Sequence, residues 1–148
     1  MDPVRIGIVG LYGIANRHYD EISSTSELDL GAVCDVNDTL ASAWSEEYEV
    51  PWYHDYHDLV KSDDCDFIVV SVPHGVHCDV ACAAMEAGKP VIIQKPMCIS
   101  VSEADRIIEG LKKQLEEANA KMASSGSMDG MGISLFTPTE EGVGIRVE

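Results

Sequence analysis

Gly10, Gly13, Ala15 and Asp35 are the residues whose types and spacing first suggest chemistry. Val4 to Ala15 reads VRIGIVGLYGIA, an apolar run breaking into glycines, and Asp35 stands 20 positions beyond Ala15 at the end of a second apolar run. A pyrophosphate is held where a helix begins, because unpaired backbone N–H groups and the helix dipole favour negative charge there. Glycines are needed where the chain turns tightly and where backbone approaches phosphate, and an acid about 20 residues further on accepts hydrogen bonds from a ribose. Gly10 fills the first position of G-x-G-x-x-[G/A] and Ala15 the last, while Tyr12 occupies the middle one. A tyrosine there crowds the phosphate unless Gly13 sends the turn along another path. Asp35 repels a 2′-phosphate, and Val36 and Asn37 supply no neighbouring cation. NAD(H) is therefore expected over NADP(H). The plainer alternatives are a strand–helix turn that binds nothing and an Asp35 that only caps a turn.

The elements that must position these residues alternate between apolar strand-like runs and amphipathic helix-length stretches, the pattern of a parallel sheet covered on both faces. Strands are expected near Val4–Val9, Leu28–Cys34, Pro51–Tyr53, Phe67–Val72 and Val91–Gln94, and helices over Ile14–Ser23, Thr39–Tyr48, His57–Ser62 and His77–Ala87. Gly88, with Pro90 just beyond, supplies a helix stop. A longer helix is expected from Val101, with Ser100 and Glu103 at capping-box spacing. Its stripe of Ala104, Ile108, Leu111, Leu115, Ala118 and Met122 is expected to pack on the sheet, the alternative being pairing with a second chain. The composition then shifts to Ser, Gly and Met over Ala123–Gly132, a linker-like stretch, followed by two β-prone runs, Ile133–Phe136 and Val143–Val147, that suggest a hairpin. The expected organisation is a dinucleotide-binding domain over 1–122 and a linker with a β tail over 123–148, with strand order 3-2-1-4-5.

Length and composition set the bounds. A chain of 148 residues with 45% hydrophobic and 24% charged side chains fits one globular domain. Ten basic against 26 acidic residues give a net charge of −16, which disfavours nucleic acid and anionic membrane surfaces. Such acidity suits either a salt-rich cytoplasm or plain solubility. Met1-Asp2-Pro3 has no basic region, no apolar run approaches membrane-spanning length, and the cysteine count of five is odd. A cytoplasmic protein with reduced thiols is expected.

A second group of motifs narrows the reading. Phe67–Val72 leads into Pro73-His74-Gly75-Val76-His77, a helix ends at Ala84-Met85-Glu86-Ala87-Gly88-Lys89-Pro90, and Val91-Ile92-Ile93-Gln94-Lys95-Pro96 follows. Together with Gly10–Ala15 and Asn16-Arg17-His18, this order of motifs resembles the N-terminal domain of the glucose–fructose oxidoreductase/inositol dehydrogenase (Gfo/Idh/MocA) family, over about Val4 to Glu109. The resemblance implies a Rossmann domain coupled to a C-terminal α/β domain. It also implies hydride transfer between a nicotinamide cofactor and a sugar, cyclitol or related hydroxyl compound. By the same resemblance Lys95 lies near the nicotinamide and the substrate hydroxyl, where an ammonium polarises a carbonyl or joins a proton relay. Pro96 fixes the turn, commonly through a cis bond, and His77 matches the histidine of the P-N-x-x-H segment, with His74 at the Asn position. Gln94 stands where the family has Glu, and Tyr12 where it has glycine. The sequence after Glu109 does not resemble the family's second domain, which supplies its catalytic histidine and much of its substrate pocket.

The expected site is thus Gly10, Tyr12, Gly13, Ile14 and Ala15 along the pyrophosphate turn, Asp35 on the ribose, Pro73 and His77 beside the nicotinamide, and Lys95 for the chemistry. His74, His77, Cys78 and Cys82 lie within nine residues in a combination zinc accepts. The loop is better accounted for as cofactor-adjacent, and no metal is expected. His54 and His57 are read as surface residues, Cys34 as a small core residue, Cys98 as an accessible thiol with no assigned role, and Asp63, Asp64 and Asp66 as a solvated turn. The leading expectation is an NAD-dependent oxidoreductase completed by a partner chain, a dimer mate or a further domain. The rival is a stand-alone dinucleotide-binding or scaffold module without catalysis.

Overall fold

The computed structural model describes residues 2–124. The chain divides into two units, Met1–Gln114 and a second beginning at Leu115. The linker and hairpin expected after Ala123 fall, but for its first two residues, outside the described residues.

The first unit is a parallel sheet of five strands: β1 (Val4–Val9), β2 (Leu28–Cys34), β3 (Trp52–Tyr53), β4 (Phe67–Val70) and β5 (Val91–Ile93). Their order is β3-β2-β1-β4-β5, and every pairing is parallel. The intervening helices are α1 (Ala15–Ser23), α2 (Asp38–Tyr48), α3 (Tyr56–Lys61) and α4 (His77–Glu86), with a 3-10 turn over His74–Val76, and α5 (Val101–Ser124) follows β5. This is the doubly wound α/β architecture expected from the alternation of runs.

Local chemistry sets the boundaries. The Asn37 side chain accepts from the Leu40 N–H to start α2, and Asp55 accepts from the His57 N–H to start α3. Gly88 adopts φ +77° after α4, and the Lys89 N–H closes onto the Ala84 carbonyl at 2.9 Å, a Schellman-type ending. At the start of α5 the Glu103 N–H donates to Ser100 Oγ at 3.3 Å, and the Glu103 carboxylate returns to the Ile99 N–H at 2.9 Å.

One core layer holds Ile6, Ile8, Leu30, Val33 and Val69 against Ile22 of α1 and Trp44 of α2. The opposite layer holds Val9, Ala32, Cys34, Ile68 and Val70 against Leu59 of α3 and Val80 of α4. In β2 the alternation slips by one residue, because Leu30 pairs with Ile6 and Ala32 with Gly7, leaving Gly31 as a bulge. A Cβ on Gly31 would collide with the Asp64 carbonyl oxygen and lie 2.9 Å from Arg5 Cβ. The acidic turn is solvated as expected, with Asp63 and Asp66 exposed, and it is also tied down. Arg5 donates to both Asp66 oxygens, which holds the Asp66 carboxyl below the usual carboxylate range, and the Tyr53 hydroxyl donates to Asp64.

Two expectations are corrected. The fourth strand ends at Val70 rather than Val72, because the Val72 carbonyl turns toward the ring of His77. The α5 stripe does not pack on the sheet: Ile108 and Leu111 are 43% and 45% exposed. The helix instead buries Ile107 and brings Gly110 against the side chain of Met85 in α4, while Gln114 donates to the Met85 and Lys89 carbonyls. A face one residue round from the predicted stripe makes this contact, because the missing Cβ at Gly110 lets α4 approach there. In the second unit residues 115–124 continue the helix, with Leu115 and Met122 exposed.

Candidate functional site

In a doubly wound sheet the crevice opens beyond the carboxyl ends of the strands, where the order reverses. Here that point lies between β1 and β4, and a cavity of about 380 Å³ stands there, lined by Val9, Gly10, Tyr12, Cys34, Asp35, Val36, His54, Tyr56, Ser71, Val72, Pro73 and Val76. Three strand ends therefore meet at one opening.

Gly10 leaves β1 at φ +89°, its N–H donating to the Cys34 carbonyl at 2.8 Å. A Cβ at Gly10 would lie 2.7 Å from both the carbonyl carbon and oxygen of Ser71, so β1 and the end of β4 touch backbone to backbone. Gly13 carries the second positive φ, +65°, and Tyr12 is 86% exposed. The turn takes the alternative path through Gly13, and the tyrosine ring stands in solvent at the cavity rim rather than inside the turn. Ala15, the first residue of α1, is fully buried, so it offers the turn backbone only. Ile14 gives α1 no side-chain cap, which leaves first-turn N–H groups available to an anion.

Asp35 follows β2 and is held from two sides. One carboxylate oxygen accepts from the Leu11 N–H and the other from the Asn37 N–H, both at 2.8 Å. A carboxylate offers about four lone-pair positions, so each oxygen keeps one acceptor site for a ligand hydroxyl. The Asn37 donor, two residues on, is the turn contact the sequence offered for Asp35, whereas the Leu11 donor, 24 positions away in a different strand–helix turn, was invisible there. His54, also at the cavity, pairs with Asp38 at 2.7 Å, and that carboxylate raises its pKa above the ordinary histidine value.

The Lys95–Pro96 bond is cis, and Lys95 is exposed beside it. The Gln94 side-chain amide N–H donates to the His18 Nε2 of α1 at 2.8 Å, tying the end of β5 to that helix. Pro73 is exposed and accepts from the Val76 N–H. His77 is 1% exposed, with Nδ1 2.8 Å from the Pro96 carbonyl oxygen and Nε2 2.8 Å from that of Val72. Its ring thus bridges the end of β4 and the Lys95–Pro96 turn, reaching the site through backbone it positions rather than through a face of its own. Sequence spacing places His77 near the site but gives no sign of either carbonyl.

Cys78 and Cys82 have sulfurs 3.9 Å apart, and Cys98 packs against the same cluster. Burial pushes the Cys34 thiol up to about 12, and burial and then Cys82 push Cys78 up to about 11, so both stay protonated and unreactive at neutral pH. Among the described residues no group of three His, Cys, Asp or Glu side chains is arranged to hold a metal, and no helix is long and apolar enough to cross a membrane.

Residues 4–118 match the family described as "Oxidoreductase family, NAD-binding Rossmann fold". The inositol 2-dehydrogenase of Salmonella typhimurium (strain LT2) is 34% identical over 113 residues, covering 74% of this chain and 34% of that protein. The crystal structure of myo-inositol 2-dehydrogenase from Lactobacillus plantarum superposes with a TM-score of 0.72 at 25% identity, over 77% of this chain and 34% of that one. The WlbA dehydrogenase from Bordetella pertussis, in complex with NADH and UDP-GlcNAcA, shares the fold with a TM-score of 0.73 at 23% identity, over 77% of this chain and 34% of that one. The chain spans about a third of the length of the curated relatives it matches.

Proposed function

From the premise that this chain belongs to the Gfo/Idh/MocA oxidoreductase family and carries its NAD-binding Rossmann fold, we propose that it binds NAD(H) in the β1–β4 crevice for oxidation or reduction of a cyclitol, sugar or related hydroxyl compound. The observation that carries this is Asp35, anchored by two backbone donors at the cavity with an acceptor site left on each oxygen. Backbone of Gly10, Tyr12, Gly13, Ile14 and Ala15 forms the pyrophosphate cradle, and the uncapped start of α1 supplies its electrostatics. Pro73 borders the nicotinamide side, and His77 holds the Lys95–Pro96 turn beside it. A bound nicotinamide supplies the hydride chemistry. The exposed Lys95 ammonium polarises the substrate oxygen or passes its proton on. The inositol dehydrogenases among the relatives support a cyclitol as the first substrate to try. Five free cysteines support a reducing cytoplasm.

A thermal-shift titration with NADH and NADPH tests the reading. NADH at about 100 times its dissociation constant adds about 2.7 kcal/mol of stability, with a smaller effect from NADPH. The absence of any shift at millimolar NADH would sink the proposal.

Substrate recognition is assigned to a partner chain, a dimer mate or a further domain. The exposed stripe of Ile108, Leu111 and Leu115 on α5 supports a contact between copies. The purified protein is then expected to sediment as a dimer at micromolar concentration and Leu111→Asp with Leu115→Asp as a monomer; a monomeric unmutated protein excludes that contact. A second reading, a dinucleotide-binding module without hydride transfer, is favoured by Gln94, which puts a neutral amide where the family has a carboxylate. NADH binding without NADH formation from NAD⁺ and myo-inositol, even with the partner or further domain present, would select it.

A further inference from the structure

His77, the first residue of α4, is 1% exposed, and each of its ring nitrogens lies 2.8 Å from a backbone carbonyl oxygen, Nδ1 from that of Pro96 and Nε2 from that of Val72. These are the ring's only hydrogen bonds among the described residues. A carbonyl oxygen only accepts, so both contacts need a proton on the histidine side. The neutral ring carries one N–H and one bare lone pair. Either tautomer therefore sets a lone pair against an oxygen at one end, with the ring closed off from bulk water. Turning the ring over puts carbon against both carbonyls and leaves both nitrogens without partners. Only the imidazolium, with a donor on each nitrogen, satisfies the two contacts together, and its bonds are of the stronger, charge-assisted kind.

The charged and titratable groups around the ring come from each element it meets. On its own stretch of chain, the His74 ring centroid is 5.4 Å away, Cys78 is a protonated thiol, and Asp79 is paired with Arg106 of α5. The turn after β5 brings Lys95 and Cys98, and Lys95 is exposed, so solvent screens its charge from the ring. From α5 comes Glu103, whose backbone carbonyl meets Cys78 Sγ at 3.6 Å and whose carboxylate is taken by the Ile99 N–H. The end of β4 brings no charged side chain. No carboxylate is hydrogen-bonded to the ring, so the two carbonyl dipoles are what hold a charge there.

We infer that His77 is a charged clasp: as an imidazolium it fastens the end of β4 to the Lys95–Pro96 turn, and loss of its second proton lets one of the two carbonyls go. It is a positioning residue, acting through the placement of Lys95, and takes no part in hydride or proton transfer. The consequence for ligand binding rests on the NAD(H) reading above, whereas the charge of the ring does not. Rising pH removes the second proton, so the turn is held at low pH and slackens as that proton leaves.

NMR of the isotope-labelled full chain, followed between about pH 5 and 9 to span the ordinary histidine range, counts the protons on the ring nitrogens. The expected result is two N–H signals from the His77 ring, either throughout or until one is lost together with a shift in the carbonyl-carbon signal of Val72 or Pro96. A single N–H at every pH overturns the inference, as does loss of the second N–H with both carbonyl signals unmoved. In parallel, NADH and ADP-ribose are titrated across the same range into the original, His77→Gln and His74→Gln. ADP-ribose ends before the nicotinamide, so the ratio of the two affinities reads the wall beside Lys95 and cancels titrations at the ribose end. In the original and in His74→Gln the ratio should stay high while both N–H signals persist and fall about tenfold when one is lost, the scale of one hydrogen bond. In His77→Gln it should be low and flat. A ratio in His77→Gln that equals the original's at every pH overturns the positioning role. The ring signals are read on the unmutated chain, so they decide the charge even if His77→Gln does not fold. If the original binds neither ligand, the NAD(H) reading falls and the ring signals still decide the clasp.

Discussion

Gly10→Ala is expected to destabilise the fold by about 2–5 kcal/mol and to remove NADH binding. Two effects add. At φ +89° an L side chain is strained, which costs about 1–2 kcal/mol. The new Cβ would also lie 2.7 Å from the Ser71 carbonyl carbon and oxygen and 2.8 Å from the Val72 nitrogen. Those atoms are backbone and cannot rotate aside, so β1 and the end of β4 must separate, an overpacking cost of about 1–3 kcal/mol. That is a large share of a total stability of about 5–15 kcal/mol. Gly13→Ala is the control. Its φ is +65° but nothing lies within 4 Å of the added Cβ, so only the conformational cost applies. Urea unfolding of the two variants separates close approach from strain, and equal losses would show that the Gly10–Ser71 contact contributes nothing.

Asp35→Ala is expected to weaken NADH binding by about a hundredfold or more, from two lost hydrogen bonds to a charged acceptor at about 1.5–3 kcal/mol each. It also strips the partners from the Leu11 and Asn37 N–H groups, so the free protein loses about 1–3 kcal/mol. Removing the carboxylate relieves repulsion of a 2′-phosphate, so the preference for NADH over NADPH should shrink. Calorimetric titration of both nucleotides against Asp35→Ala and Asp35→Asn checks this. Undiminished NADH affinity in the alanine variant would mean that the ribose lies elsewhere.

The variants together ask which layer of information each residue belongs to. The alternation of strands and helices, the end of α4 and the start of α5 were legible in the sequence because they rest on local signals: apolar runs, Gly88 as a stop, and Ser100 with Glu103; the Asn37 and Asp55 caps appeared only in the structure. Gly10, Ala15 and Asp35 stood out for the same reason, since a tight strand–helix turn constrains residue types at short spacing. Periodicity misled for α5, where the apolar stripe marks an exposed face and the contact is made through Ile107 and Gly110.

Alone, the sequence determined the alternation of elements, the glycine turn after β1 and the acid at the end of β2, because backbone geometry and periodic burial act over a few residues at a time. Only the tertiary structure decided how the site is held. The Gly31 bulge shifts β2 by one residue and so sets the face on which Cys34 and Asp35 emerge. Leu11 and Asn37 clamp Asp35, His77 ties Val72 to Pro96, and His18 meets Gln94 across 76 positions. Most of these contacts join residues far apart in the chain whose types are common in many other settings, and they acquire meaning only when the strand ends are brought to one edge.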